Sequence, residues 1–214
     1  MAKPTAPLLS FDARGQIAKT QVYASWRGRP YVRRYTIPAN PRSSGQIETR
    51  SVFTWLQNVW KLLDSDAQAP WLAAAKGNAV TDRNLWTKAN LPILRPLTAL
   101  TGIVFSPGYG GMFPPTSVAT AATLIAGQLN ITFTPPPLPA GWTLDTVVAI
   151  TIADQDPHNG TLYETTLSGS PTSPLLLTGL SSGTLYQIGV LAAGIKPDGT
   201  RVFSTSIAQS GTPL

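Results

Sequence analysis

A chain of 214 residues with 43% hydrophobic and only 12% charged residues has apolar surface to bury and too little charge for wholesale disorder. It contains no cysteine, which excludes disulfides, thiolate nucleophiles and the commonest structural zinc sites. The formal charge of +6 is unevenly placed: residues 1–100 hold 14 Lys and Arg against 5 Asp and Glu, residues 101–214 hold 2 against 5, and so the first part is built to seek an acidic surface.

The opening MAKPTAPLLSFDARG lacks the long apolar core of a signal peptide, and no secretion signal is expected. No apolar run approaches the roughly 20 residues that span a bilayer, so a membrane is not an expected partner. Residues 19–37 read as a β-hairpin. Val22, Tyr23, Trp26, Tyr31, Val32 and Tyr35 are strand formers, and Arg27-Gly28-Arg29-Pro30 carries turn chemistry. The aromatics are expected on one packed face, with Arg27, Arg29, Arg33 and Arg34 on the rim or the opposite face. Pro38 and Pro41 then break any strand.

A helix follows, with Ser43 and Gln46 as a capping box and Val52, Trp55, Leu56, Val59, Trp60 and Leu63 on one stripe. A second helix is predicted from about Asp66 to Lys76, with Ser65 and Gln68 as its capping pair and Gly77 at C′. Thr81 caps a third, short helix that Pro92 is expected to end. Residues 92–115, rich in Pro and Gly, read as an extended irregular connector that is too apolar for a free tether.

From about residue 116 the period becomes two. Strands are predicted at 118–125, 129–134, 146–153, 161–167, 174–178, 185–193 and 201–208, separated by turn signals, which suggests a Greek-key sandwich. The run Leu177-Thr178-Gly179-Leu180-Ser181-Ser182-Gly183-Thr184-Leu185-Tyr186-Gln187-Ile188 resembles the fibronectin type III family, whose corner reads L-x-x-L-x-x-G-T-x-Y-x-(V/I). That resemblance implies an immunoglobulin-like sandwich over about 116–214 with Tyr186 as its structural tyrosine corner, its hydroxyl bonded to the preceding turn. Trp142 departs from the family pattern, because it follows PPPLPAG instead of sitting inside the second strand. The fold class expected is thus an α+β N-terminal region, a hairpin plus two or three helices, followed by an all-β sandwich. The domains expected are 1–92, a connector at 93–115, and 116–214.

Chemistry-bearing groups are few. His158 lies in the turn DQDPHNG and reads as an exposed turn histidine; Asp154 and Asp156 read as a solvated loop without the full calcium pattern. Gly108-Tyr109-Gly110-Gly111 has no capped helix after it and reads as a flexible bend, not a phosphate cradle. No G-x-S-x-G, P-loop or H-E-x-x-H occurs. An enzyme is not expected, and catalytic, cofactor and metal sites are each expected to be none. The arginines are more informative. Arg27, Arg29, Arg33, Arg34 and Arg42, interleaved with Trp26, Tyr31 and Tyr35, suit bidentate carboxylate or phosphate contacts and aromatic stacking. A solvated basic face, an acidic protein surface and nucleic acid all fit this composition, with the protein surface preferred.

The pattern Val22-Tyr23-Ala24-Ser25-Trp26-Arg27-Gly28-Arg29-Pro30-Tyr31-Val32-Arg33, followed by Asn40-Pro41, Gln46, Arg50 and Phe53, resembles a motif in small proteins of tailed bacteriophages and prophages. It covers about residues 15–90, and in several such proteins an immunoglobulin- or fibronectin-like module follows. The two resemblances together imply a virion structural protein, made in the bacterial cytoplasm and placed as a capsid decoration protein. Its partners would be the major capsid protein or another virion protein, a second copy of itself, and weakly bound cell-surface glycans. A tail, neck or fibre component and a nucleic-acid-binding accessory protein are the alternatives.

Overall fold

The computed structural model of the chain describes residues 15–26, 29–37, 39–40, 42–160 and 164–214. The chain divides into two compact units, Met1–Arg42 and Ser43–Leu214.

In the first unit, β1 (Gly15–Ile17), β2 (Gln21–Trp26) and β3 (Arg29–Arg34) form an antiparallel sheet in that order. The expected hairpin is β2 and β3; Arg27 and Gly28 of its turn lie outside the described residues. Strand β1 is an addition. It joins β2 through Ala18 and Lys19, both at positive φ (45° and 54°), with Thr20 N–H donating to Ile17 O at 2.9 Å. Neither residue is the Gly or Asn such a turn favours, so no turn signal marked it. Paired residues share a face of a sheet. The register sets Ala24 opposite Tyr31, Val22 opposite Arg33, Tyr23 opposite Val32 and Gln21 opposite Arg34. Tyr31 and Arg33 therefore share one face while Tyr23 and Arg34 share the other. The expected separation of aromatics from arginines is not found, because Val22-Tyr23 and Arg33-Arg34 each straddle the two faces.

The second unit begins with three helices, α1 (Ser44–Leu62), α2 (Ser65–Ala75) and α3 (Asp82–Leu94). The stripe Val52, Trp55, Leu56, Val59 and Trp60 is buried along α1, as its spacing requires. Two expected caps differ. Ser43 makes no side-chain cap, and Asp64 is the N-cap of α2, accepting from Asp66 N at 3.1 Å. Gln68 instead donates to the Trp60 and Leu63 carbonyls at 2.9 and 3.0 Å, closing the end of α1. Thr81 caps α3 by accepting from Asn84 N, and Gly77 follows α2 at φ +82°. Pro92 does not end α3, which runs two residues further. Pro92 removes its own N–H bond and crowds the carbonyl four residues back, but the turn beyond still closes through Arg95 N–H to Leu91 O.

The strands that follow are β4 (Pro107–Tyr109), β5 (Thr116–Ala122), β6 (Leu129–Thr134), β7 (Thr143–Ala153), β8 (Thr165–Ser170), β9 (Leu175–Leu177), β10 (Tyr186–Ile195), β11 (Arg201–Thr205) and β12 (Ile207–Gly211). One sheet is β5-β6-β9; the other is β4-β11-β10-β7-β8, with β12 also paired to β10. The predicted strand 201–208 is split at Ser206, whose hydroxyl accepts from Phe105 N and Ser106 N. The start of the predicted strand 161–167 falls partly on residues 161–163, outside those described.

Two apolar cores flank the larger sheet. Val147, Ala149, Ile188, Val190 and Ala192 face Leu129, Ile131, Leu175 and Leu177 of the smaller sheet. The alternate residues Val148, Ile150, Ile152, Leu191, Ala193 and Phe203 share a core with Trp55, Trp60, Trp71 and Trp86 of the helices. The unit is thus three layers: helices, a sheet buried on both faces, and a second sheet. The division falls after Arg42, not at 92 and 116, because the helices need the outer face of the sheet to bury their tryptophans.

The segment expected as a connector is part of that packing. Leu100, Ile103 and Phe105 are buried between helices and sheet. Asn90, fully buried, accepts from Val104 N at 2.7 Å and donates to Val104 O at 3.1 Å, a strand-like pairing made by a side chain. Trp71 Nε1 donates to Phe105 O at 2.9 Å, and Leu100 N–H donates to Asp154 Oδ1 at 2.7 Å. Within the same segment, Pro107–Tyr109 forms an edge strand, with Tyr109 opposite Phe203, and Gly110 and Gly111 turn the chain after it. Gly110 is required there: a Cβ would come 2.4 Å from Val202 Cγ1.

Candidate partner-binding sites

The unit boundary sharpens the charge asymmetry. Residues 1–42 hold 8 Lys and Arg and one acid, Asp12, whereas residues 43–214 hold 8 basic and 9 acidic residues. The net positive charge of the chain therefore resides in its first 42 residues.

Among the predicted site residues, Arg33 and Arg34 at the end of β3 are exposed, as is Arg42, and none has an ion-pair partner among the described residues. Tyr31 is 43% exposed. Tyr35 is half-buried, its N–H donating to Thr20 O at 2.8 Å. Lys19, Arg34, Tyr35, Thr36 and Ile37 line an open depression of about 470 Å³, which brings two cations and one ring together. Lys19 was not among the predicted residues; it arrives through the unforeseen β1–β2 turn. Arg29 and Trp26 are paired in the register, and Arg27 lies outside the described residues.

Elsewhere the expected bland readings need adjustment. His158 is not a free turn residue: its Nδ1 lies 2.8 Å from Asp156 Oδ1 and its Nε2 3.0 Å from the Arg95 carbonyl. The contact ties the β7–β8 loop to the end of α3. The Asp156 carboxyl is held below its ordinary value, chiefly by the backbone N–H of His158 and then by the imidazole. Asp154 is occupied by Leu100 N–H. Among the described residues no group of three or more His, Asp and Glu is placed to hold a metal, and no helix is long and apolar enough to cross a membrane.

A second recess, missed in the sequence, lies on the second unit. Leu72, Ala73, Val80, Tyr109 and Phe203 give an apolar floor, Lys76, Asp82 and Arg201 a charged rim, and the volume is about 660 Å³. Its walls come from α2, the α2–α3 connection, β4 and β11, so no single stretch of sequence announces it. Arg201 is fixed there by Asp145 at 2.8 Å and Asp66 at 3.3 Å, with its guanidinium over the Phe203 ring.

Tyr186 is completely buried. Its hydroxyl accepts from Ser181 N–H at 2.9 Å and donates to Glu164, which also accepts from Ser181 Oγ at 2.9 Å. Burial first, and then the Glu164 acceptor, push the phenol above its usual value. Trp142 packs at the margin of the inner core with Lys196 Nζ 5.1 Å from its ring, while Leu129, Ile131 and Phe133 of β6 fill the centre. The sheets β5-β6-β9 and β11-β10-β7-β8, with a buried tyrosine bonded to the turn before its strand, decide the class.

The second unit contains a fibronectin-type-III-like β-sandwich. The fn3 domain of human collagen alpha-1(XX) chain is similar, at 22% identity over 51% of this chain and 91% of that one, with a TM-score of 0.37. A crystal structure of an FN3 domain of human collagen XX has 19% identity over 50% of this chain and 97% of that one, TM-score 0.35. A redesigned β-sandwich protein has 19% identity over 47% of this chain and 88% of that one, TM-score 0.33. No protein-family model matches the chain, and no curated protein matches it.

Proposed function

We propose that the chain is a structural protein of a tailed-phage particle, a capsid decoration protein that docks through its basic first unit and presents the second. The observation that carries this reading is the concentration of charge: eight cationic side chains and one acid in 42 residues, with Arg33, Arg34 and Arg42 exposed. Such a unit has little to neutralise it internally and gains most against an acidic lattice. The sequence resemblance over residues 15–90 supplies the virion context. What is presented is the whole three-layer unit, because the helices are packed on the sandwich.

Two measurements test it. Mass spectrometry of particles from cells expressing the chain gives copies per particle; decoration requires many, a tail, neck or fibre component few. Retention on DNA-free shells across a salt series is expected to fall steeply, and Arg27, Arg29, Arg33 and Arg34 changed together to Gln are expected to weaken it about tenfold or more. Unchanged retention overturns the docking role. Absence from particles combined with DNA retention on a steep salt slope replaces this reading with the nucleic-acid one.

A further inference from the structure

The loop between β5 and β6 presents its largest side chains outward. Leu124 is 99% exposed and Ile125 61%. The loop is nonetheless held: Thr123 Oγ1 donates to Ile125 O at 3.0 Å and accepts from Ile125 N at 3.2 Å, while Gly127 N–H donates to Leu214 O and its carbonyl accepts from Leu180 N–H, each at 3.0 Å. Two adjacent aliphatic side chains on a fixed loop form a knob. Residues 116–144, which include the knob, carry no charge.

The apolar recess of Leu72, Ala73, Val80, Tyr109 and Phe203 is its counterpart, with Leu72 63% exposed. Knob and recess lie at opposite ends of one rigid strand. The knob neighbours Leu214 and Leu180, at the Tyr186 end of β10, where Tyr186 pairs with Gly211. The recess takes Thr200, Arg201 and Phe203, beside the Ile195 end, where Ile195 pairs with Arg201. The ten residues of β10, nine steps along the strand, separate the ends by about 30 Å, so no copy can fill its own recess.

We infer that the Leu124–Ile125 knob of one copy seats in the Leu72–Phe203 recess of the next, a head-to-tail contact between second units. The charged rim of Lys76, Asp82 and Arg201 around an apolar floor is the usual anatomy of such a contact. Two different patches meet, so the contact is heterologous and repeats from copy to copy. Two side chains bury far less than the roughly 1,200 Å² of a stable interface, so it is weak in free solution and cooperative where copies are already arrayed. The inference does not depend on the particle reading.

The absence of cysteine allows a clean trap. Ala126→Cys sits beside an intact knob and Lys76→Cys on the rim of an intact recess; Thr172→Cys, exposed and on neither surface, is the control. Equal amounts of two full-length single-cysteine proteins are mixed under mild oxidation. The 126–76 disulfide is expected to form about tenfold faster than 126–172, and adding Leu124→Asp to the first protein or Leu72→Asp to the second should erase the excess. Thermal melts check that these variants fold. Equal rates, an excess that survives Leu124→Asp, or a dominant 126–126 product would each overturn the contact.

Discussion

Phe105 occupies the space over Gly189 that a side chain would fill: a Cβ built there lies 2.2 Å from Phe105 Cγ and Cδ2. This is how the segment after α3 enters the core, with its ring seated on the middle of β10. Gly189→Ala must displace a ring at its root, and we expect a loss of about 3 kcal/mol of stability by denaturant titration. Phe105→Ala leaves a cavity and should cost about 3–5 kcal/mol. The double variant should lose less than the sum, since the added methyl then enters vacated space.

Asn90 fixes the same segment by polar means. Its amide satisfies both backbone groups of Val104 in a site closed to water. Asn90→Ala strands them, at about 1–3 kcal/mol for each unpaired group. Asn90→Asp should be worse than Ala, because it sets a carboxylate against the Val104 and Trp86 carbonyls. Thermal melts of the two variants give the ranking.

Much of the fold was legible in local pattern. Strand β6 was predicted to the residue because Leu129, Ile131 and Phe133 alternate with polar neighbours between clear turns. The tyrosine corner was written in one run of residues, but its Glu164 partner, 22 positions away, had no signal. The third layer is also marked in the sequence. A sheet with one wet face alternates, whereas Val147–Ile150 and Val190–Ala193 are unbroken apolar runs, the mark of a sheet covered on both sides. That the connector is too apolar to hang free was legible, but where it packs was not, because its partners, such as Asp154 and Ser206, lie 54 to 101 residues away. At the basic site the residue types were readable, but the faces were not, because they depend on the register of β2 against β3.

The Tyr186 network carries a pH signature. Its phenol is held above its ordinary value of 10, so the folded state retains that proton more tightly than the unfolded chain. The stabilisation is complete below about pH 10 and is lost as pH rises through the folded-state value. Tyr186→Phe leaves Ser181 N–H without its acceptor and should cost about 1–3 kcal/mol at neutral pH. It should also remove part of the alkaline fall in melting temperature, measured between pH 8 and 12; a variant with the same alkaline slope as the parent contradicts this assignment.

The position of the domain boundary is the sharpest consequence of the three-layer packing. A fragment of residues 43–214 retains both cores and should melt cooperatively, within a few degrees of the full chain. A fragment of residues 116–214 keeps the sandwich strands but bares Val148, Ile150, Ile152, Leu191 and Phe203 to water, and it loses the β4 pairing to β11. An apolar face of that kind promotes association. We expect that fragment to aggregate or to bind a hydrophobic dye strongly, while 43–214 does neither. If 116–214 were monomeric and as stable as 43–214, the helices would be dispensable and the sheet's outer face would not need them.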